Sequence, residues 1–151
     1  MKKISRRGVL SGVAMAGAVG GIYMLYPKTV VADDDLLISP LEALDLLQSN
    51  KLLLIDIRRP DEWARTGIAK GAVPIDLRNP DFLKLAVQHQ NASGGLPLAV
   101  ICARGVRSRR TAAAMTAASL GPITDIPEGM LGSSAGPGWI ARGLPIQSWA
   151  S

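Results

Sequence analysis

One cysteine and one histidine are all that 151 residues supply. The lone thiol, Cys102, excludes an internal disulfide. One cysteine and one histidine cannot build the usual four-ligand zinc site, and neither a metal nor a cofactor is expected. His89 lies late in an amphipathic segment and reads as a surface residue, which leaves a cysteine–histidine hydrolase without its base. Acidic residues are also missing, over the whole stretch before Asp33. That absence explains the net charge of +5. Lys2, Lys3, Arg6, Arg7 and Lys28 supply the excess, and from Asp33 onward the twelve acidic side chains face twelve basic ones. A polyanion-binding face needs a basic domain, so nucleic acid is excluded as a partner.

The leader has its own character. A basic start is followed by an uncharged segment, Gly8 to Tyr26, rich in glycine, and then by Val30-Val31-Ala32 ahead of three aspartates. Small or apolar residues at Val30 and Ala32 suit signal-peptidase cleavage after Ala32. Ser5-Arg6-Arg7 with Val9 and Leu10 behind it is similar to a twin-arginine export signal, although no phenylalanine stands at Val9. A second reading keeps residues 8–26 as an uncleaved anchor, since nineteen helical residues span about 28 Å. Both readings put the body in the periplasm, free or held at the inner membrane. The chain divides into an export signal or anchor over 1–32 and one domain over 33–151, with Asp33-Asp34-Asp35 a solvated junction. At 48% apolar and 19% charged residues, the chain as a whole reads as globular and not disordered.

Within the body, helical and strand signals alternate. Ser39-Pro40-Leu41-Glu42 is a capping box with proline at the first helical position, and predicts a helix to about Gln48 with Ala43, Leu41, Leu44 and Leu47 on its apolar face. Lys51–Ile57, Ala72–Ile75, Leu96–Ile101 and Ile123–Ile126 are short apolar runs, expected as buried strands. Helices are expected over Asp61–Arg65, Pro80–Gln90, Ser108–Leu120 and Trp139–Arg142. The alternation predicts an α/β domain with a mainly parallel sheet and helices on both faces.

In such sheets ligands sit beyond the carboxyl ends of the strands, and Cys102 follows directly on one. A short loop entering a helix leaves several N–H groups pointing inward, a nest that binds anions and gains from the helix dipole. Gly105 supplies the backbone freedom. Such a setting favours the thiolate, the nucleophilic form. Arg104 and Arg107 are candidates for anion contact, and Ser108 for a helix cap or a donor to sulfur. Arg109 and Arg110 read as a solvated helix face, and Trp63, Trp139 and Trp149 as core or rim packing.

Cys102-Ala103-Arg104-Gly105-Val106-Arg107-Ser108 resembles the active loop of the rhodanese family of sulfurtransferases. Leu54-Ile55-Asp56-Ile57-Arg58 is similar to that family's strand ending in Asp-x-Arg, with Glu62-Trp63 where an acidic-aromatic pair is common and Gly71-Ala72 opening the next strand. Glu128-Gly129 and Trp139 to Pro145 resemble its closing segment, so the resemblance covers residues 36 to 148. It implies a rhodanese-like fold and a persulfide formed on Cys102 from thiosulfate or another small sulfur-containing donor. The persulfide is held by the N–H groups of 103–108 and removed by a thiol or cyanide. Asp56 and Arg58 would brace the loop from below. Four residues separate Cys102 from Arg107, where the phosphatase branch of this fold uses five. Two departures stand out: Thr66-Gly67-Ile68 lacks the histidine of the usual Gly-His-Ile, and residues 132–138 look like an insertion at the site's rim. These departures support an alternative, a sulfur carrier without turnover or an interaction module in the envelope. The oligomeric state is not encoded in any of these features.

Overall fold

The computed structural model describes residues 36–149. The leader with its twin-arginine motif, the cleavage point after Ala32 and the aspartate junction therefore lie outside the described residues. Among the described residues no helix is long and apolar enough to cross a membrane.

The core of the molecule is a four-stranded parallel sheet made of β1 (Leu53–Asp56), β3 (Val73–Pro74), β4 (Leu98–Ile101) and β5 (Ile123–Asp125), in the order β3-β1-β4-β5. β1 and β4 are central and buried at every position. That is why both appear in the sequence as unbroken apolar runs instead of an alternation. The register pairs Asp56 with Ile101, so β1 and β4 end level, and the segments after them leave the sheet at the same edge.

Helices cover both faces. α3 (Phe82–Ala92) and α4 (Val106–Ala117) pack Phe82, Ala86, Ala112 and Met115 against Leu53, Ile55, Leu98 and Val100, and Cys102 belongs to this cluster. α1 (Pro40–Gln48) and the short α5 (Gly138–Ala141) cover the other face, where Ala43 and Trp139 meet Leu54, Ala99 and Ile101. At the start of α1 the Glu42 amide donates to the Ser39 hydroxyl and the Ser39 amide to the Glu42 carboxylate, a closed capping box.

Several elements differ from the sequence-based expectation. Leu41 is 49% exposed: it stands in the first turn of α1, beside the cap, and the buried stripe begins with Ala43. α4 starts at Val106, two residues before Ser108, because its N-cap is Gly105 in the left-handed conformation and not a serine side chain. α3 begins at Phe82 and runs to Ala92. A two-residue antiparallel pair, β2 (Ile68–Ala69) with β6 (Ile146–Gln147), clips the C-terminal segment to the corner after α2 (Pro60–Thr66). Two residues per strand leave no periodicity to read. His89 is exposed, while Trp63 and Trp139 are buried.

Candidate functional site

Cys102 is the first residue past β4 and is 1% exposed. From here to Ser108 the backbone turns sharply into α4. Among the described residues, the N–H groups of Ala103, Arg104, Gly105, Val106, Arg107 and Ser108 make no hydrogen bond. The last three belong to the first helical turn, where no carbonyl is available within the helix. The six residues therefore carry a run of free donors at the positive end of α4, which is the physical basis of an anion nest.

The loop holds its shape through close backbone approaches from the segment after β5. The Met130 amide donates to the Cys102 carbonyl at 2.9 Å and the Leu131 amide to the Ala103 carbonyl at 2.8 Å. A Cβ on Gly129 would stand 2.6 Å from the Ala103 carbonyl oxygen, and one on Gly105 2.1 Å from the Pro127 carbonyl oxygen. Neither position admits a side chain. Residues 132–138 lie beside this contact: Ser133 Oγ donates to the Pro127 carbonyl at 2.8 Å, and Arg104 Nη1 to the Gly132 carbonyl at 3.4 Å. These contacts set the segment against the loop and against Pro127. Glu128, buried, accepts from the Gly138 amide and from Arg142 Nε and Nη2, which fastens the closing segment. The Arg142 hydrogen bonds hold the Glu128 carboxyl below its ordinary value despite burial.

The charged residues are arranged less simply than the sequence suggests. Arg107 does not project freely over the loop; its Nη1 and Nη2 donate to the two oxygens of Glu62 at 2.9 and 2.7 Å. Glu62 also accepts from the Arg59 amide at the start of α2. Burial would raise the Glu62 carboxyl, but the Arg107 and Arg59 hydrogen bonds and charges outweigh it and bring the pKa down to about 2. Glu62 is the residue whose part at the site the sequence conceals: it is marked only as half of an acidic-aromatic pair with Trp63, and nothing local points across 45 residues to Arg107. Arg104 and Val106 are exposed, and Ser108, fully buried, donates to the Gly105 carbonyl at 3.2 Å instead of capping the helix through N–H groups.

Asp56 and Arg58 form a buried bidentate pair, Arg58 Nε and Nη2 donating to the carboxylate at 2.7–3.0 Å. The remaining Arg58 donors go to Thr66 Oγ1 at 2.8 Å and to the Gly67 carbonyl at 2.7 Å. The pair therefore does not brace the cysteine loop directly, as the resemblance implied. It grips the C-terminal end of α2, and α2 in turn presents Glu62 to Arg107.

One buried group has no such partner. Asp125 ends β5, is 3% exposed, and neither carboxyl oxygen is hydrogen-bonded among the described residues. Burial pushes its pKa up, with the nearby Ser108 hydroxyl and the Arg109 charge offsetting only part. Because the folded chain binds this proton more tightly than the unfolded one, stability falls as pH rises from the unfolded carboxyl pKa through the folded one. Asp125→Asn cannot ionise, so thermal unfolding should show a gain of about 1 kcal/mol or more at pH 8 and a smaller gain at pH 4. A variant less stable than wild type at pH 8 would contradict this account.

A strand-end cysteine in a nest of free amides, set into a parallel α/β sheet, defines an anion-cradling cysteine-loop domain. The match narrows that class. Residues 39–132 fit the model of the rhodanese-like domain, and the chain belongs to that family, whose members are sulfur-transfer-related domains. No curated protein sequence matches the chain. Solved structures do. The Rv0390 protein of M. tuberculosis is 25% identical, with 75% of this chain and 97% of that one aligned at a TM-score of 0.55. A protein of unknown function from Rhodopseudomonas palustris, described as a possible tyrosine phosphatase, is 23% identical over 74% of this chain and 83% of its own, also at 0.55. A variant of EanB, in complex with ergothioneine covalently linked to a persulfide cysteine, is 19% identical over 74% of this chain but only 27% of its own, at 0.55.

Proposed function

We propose that the protein is a sulfurtransferase that carries sulfane sulfur on Cys102. The observation that supports this reading most is the run of six free N–H groups, Ala103 to Ser108, wrapped after a cysteine at the carboxyl end of β4. In the first step the Cys102 thiolate attacks the outer sulfur of thiosulfate. The S–S bond of the donor breaks, sulfite leaves with its electron pair, and the product is Cys102–S–S⁻. The amide nest stabilises the charge on the terminal sulfur, where a neutral pocket would leave it uncompensated. In the second step cyanide or a thiol takes that sulfur, and the thiolate returns. No external oxidant is needed, since the sulfur moves between two sulfane states. The persulfide described for the EanB variant belongs to that protein, and is consistent with such a loop holding a sulfur chain.

The reading extends to location. Residues 1–32 act as a twin-arginine export signal, and the domain works in the periplasm, either released after Ala32 or held at the inner membrane by residues 8–26. A phosphatase reading has less support, because four residues between Cys102 and Arg107 make a narrow cradle and Arg107 is already occupied by Glu62. A carrier without turnover remains the second reading, supported by the contacts of residues 132–138 with Arg104 and Pro127 beside the loop.

Intact-mass measurement after thiosulfate treatment tests the chemistry. Wild type should gain one sulfur, removable by cyanide with release of thiocyanate, and Cys102→Ser should gain none. Equal thiocyanate production by the two would overturn the assignment, and a gain without turnover would select the carrier. The same measurement on the envelope fraction reads the mature N-terminus.

A further inference from the structure

Three arginines beside the loop each meet a carboxylate before any anion arrives. A cleft of about 370 Å³ opens past the end of β1, floored by Ile57, which shares its core cluster with Cys102. Its cations are Arg59, Arg78 and Arg107. Arg78 meets Asp76 at 2.6 Å, Arg59 meets Asp61 at 3.1 Å, and Arg107 meets Glu62 at 2.7 Å. The last pair is the most sheltered at both ends, its side chains 35% and 12% exposed against 66% and 19% for Arg78 and Asp76 and 45% and 53% for Arg59 and Asp61. It also differs in reach, because Arg107 is the cation of the cleft that belongs to the cysteine loop. A sheltered bidentate pair keeps its geometry and is weakly screened by salt.

Resting on the sulfur-transfer reading, we propose that Glu62 is a charge-setting, positioning residue that makes the site select singly charged sulfane donors over dianions. With Glu62 in place, Arg107 contributes almost no net charge; Arg104, exposed and turned to the Gly132 carbonyl, is screened by solvent, and the amide nest supplies most of the compensation for the incoming anion. Neutral N–H dipoles suit a terminal S–S⁻ carrying one charge. A compact dianion such as thiosulfate, sulfate or phosphate needs a further full positive charge to repay its lost hydration. The donor class this fits is the persulfide of a small thiol. In that step the Cys102 sulfur attacks the terminal sulfur of R–S–S⁻, the donor S–S bond breaks, and the leaving R–S⁻ takes the thiol proton as R–SH, giving Cys102–S–S⁻.

The test compares full-length wild type, Glu62→Gln and, as a control, Asp45→Asn, which removes the same formal charge from α1 on the opposite face. Sulfate binding is measured by calorimetry, and sulfur loading of Cys102 by intact mass, with thiosulfate and with cysteine persulfide as donors. Glu62→Gln should bind sulfate about tenfold tighter and load from thiosulfate about tenfold faster at subsaturating donor, through KM and not the maximal rate. Loading from cysteine persulfide should stay within about threefold, and Asp45→Asn should behave as wild type. Weaker or unchanged sulfate binding in Glu62→Gln would overturn the proposal and leave Glu62 as a prop for Arg107. Should Glu62→Gln fail to fold, wild type decides alone: sulfate binding tighter than about 1 mM would refute a neutralised cleft. Absence of any sulfur on wild-type Cys102 would refute the transfer reading, while the sulfate constants would still settle the role of Glu62.

Discussion

Gly105→Ala is expected to destabilise the domain by about 3–5 kcal/mol and to abolish sulfur loading of Cys102, although the new methyl touches neither the thiol nor a substrate. Two costs add. Gly105 sits at φ +78°, a left-handed conformation that costs a residue with a Cβ about 1–2 kcal/mol. The Cβ itself would lie 2.1 Å from the Pro127 carbonyl oxygen and 2.9 Å from its carbon. Those atoms are backbone, so relief requires the loop to lift off the segment after β5, an overpacking cost of about 1–3 kcal/mol. Lifting also re-aims the N–H groups on either side of Gly105, and the nest opens. Gly94→Ala isolates the two costs: Gly94 has φ +77° but nothing within 4 Å of its added Cβ. It should lose about 1–2 kcal/mol and keep full loading. Denaturant unfolding together with intact mass reads both variants. Equal destabilisation of the two, or a Gly105→Ala protein that still takes up sulfur, would show that the contact with Pro127 does not shape the site.

How much of this was legible in the sequence depends on the range over which each feature is encoded. β1 and β4 show themselves because burial on both faces writes an uninterrupted apolar run, and the capping box of α1 because its two bonds lie three residues apart. The cysteine loop is legible for the same reason: strand end, thiol, glycine and helix start follow one another. The pair β2–β6 is not legible, since Ile68–Ala69 finds Ile146–Gln147 across the chain with two residues to mark it. Nor is the state of Arg107. A sequence shows a guanidinium near a thiol; only the packing of α2 over the loop reveals that Glu62 already holds it. The resemblance marks Arg58 only as a support for the loop; that it is fully buried follows from a partner two residues earlier and from acceptors at the end of α2.

That burial makes Asp56→Ala the second change with a large expected effect, about 3–5 kcal/mol. The carboxylate accepts from Arg58 Nε, Nη2 and the Arg58 amide. Without it a guanidinium remains in the core with only Thr66 Oγ1 and the Gly67 carbonyl as partners. The loss comes from the charge left uncompensated and not from the strength of the pair, which has its own desolvation to offset. The double variant Asp56→Leu/Arg58→Met should therefore recover much of the stability that Asp56→Ala loses. Function should not recover with it. Arg58 secures Gly67, the C-cap of α2, where an added Cβ would meet the Gln147 carbonyl oxygen at 2.7 Å, so the end of α2 has a tightly set position. With that anchor gone, α2 shifts, and the Glu62 carboxylate it carries no longer meets Arg107 squarely. The apolar double variant should thus fold yet show the sulfate affinity of Glu62→Gln, tighter than wild type. Calorimetry with sulfate and denaturant unfolding on the same preparations separate the two effects. A double variant that is stable and binds sulfate as weakly as wild type would show that the buried pair serves the fold alone, with α2 held in place by other contacts.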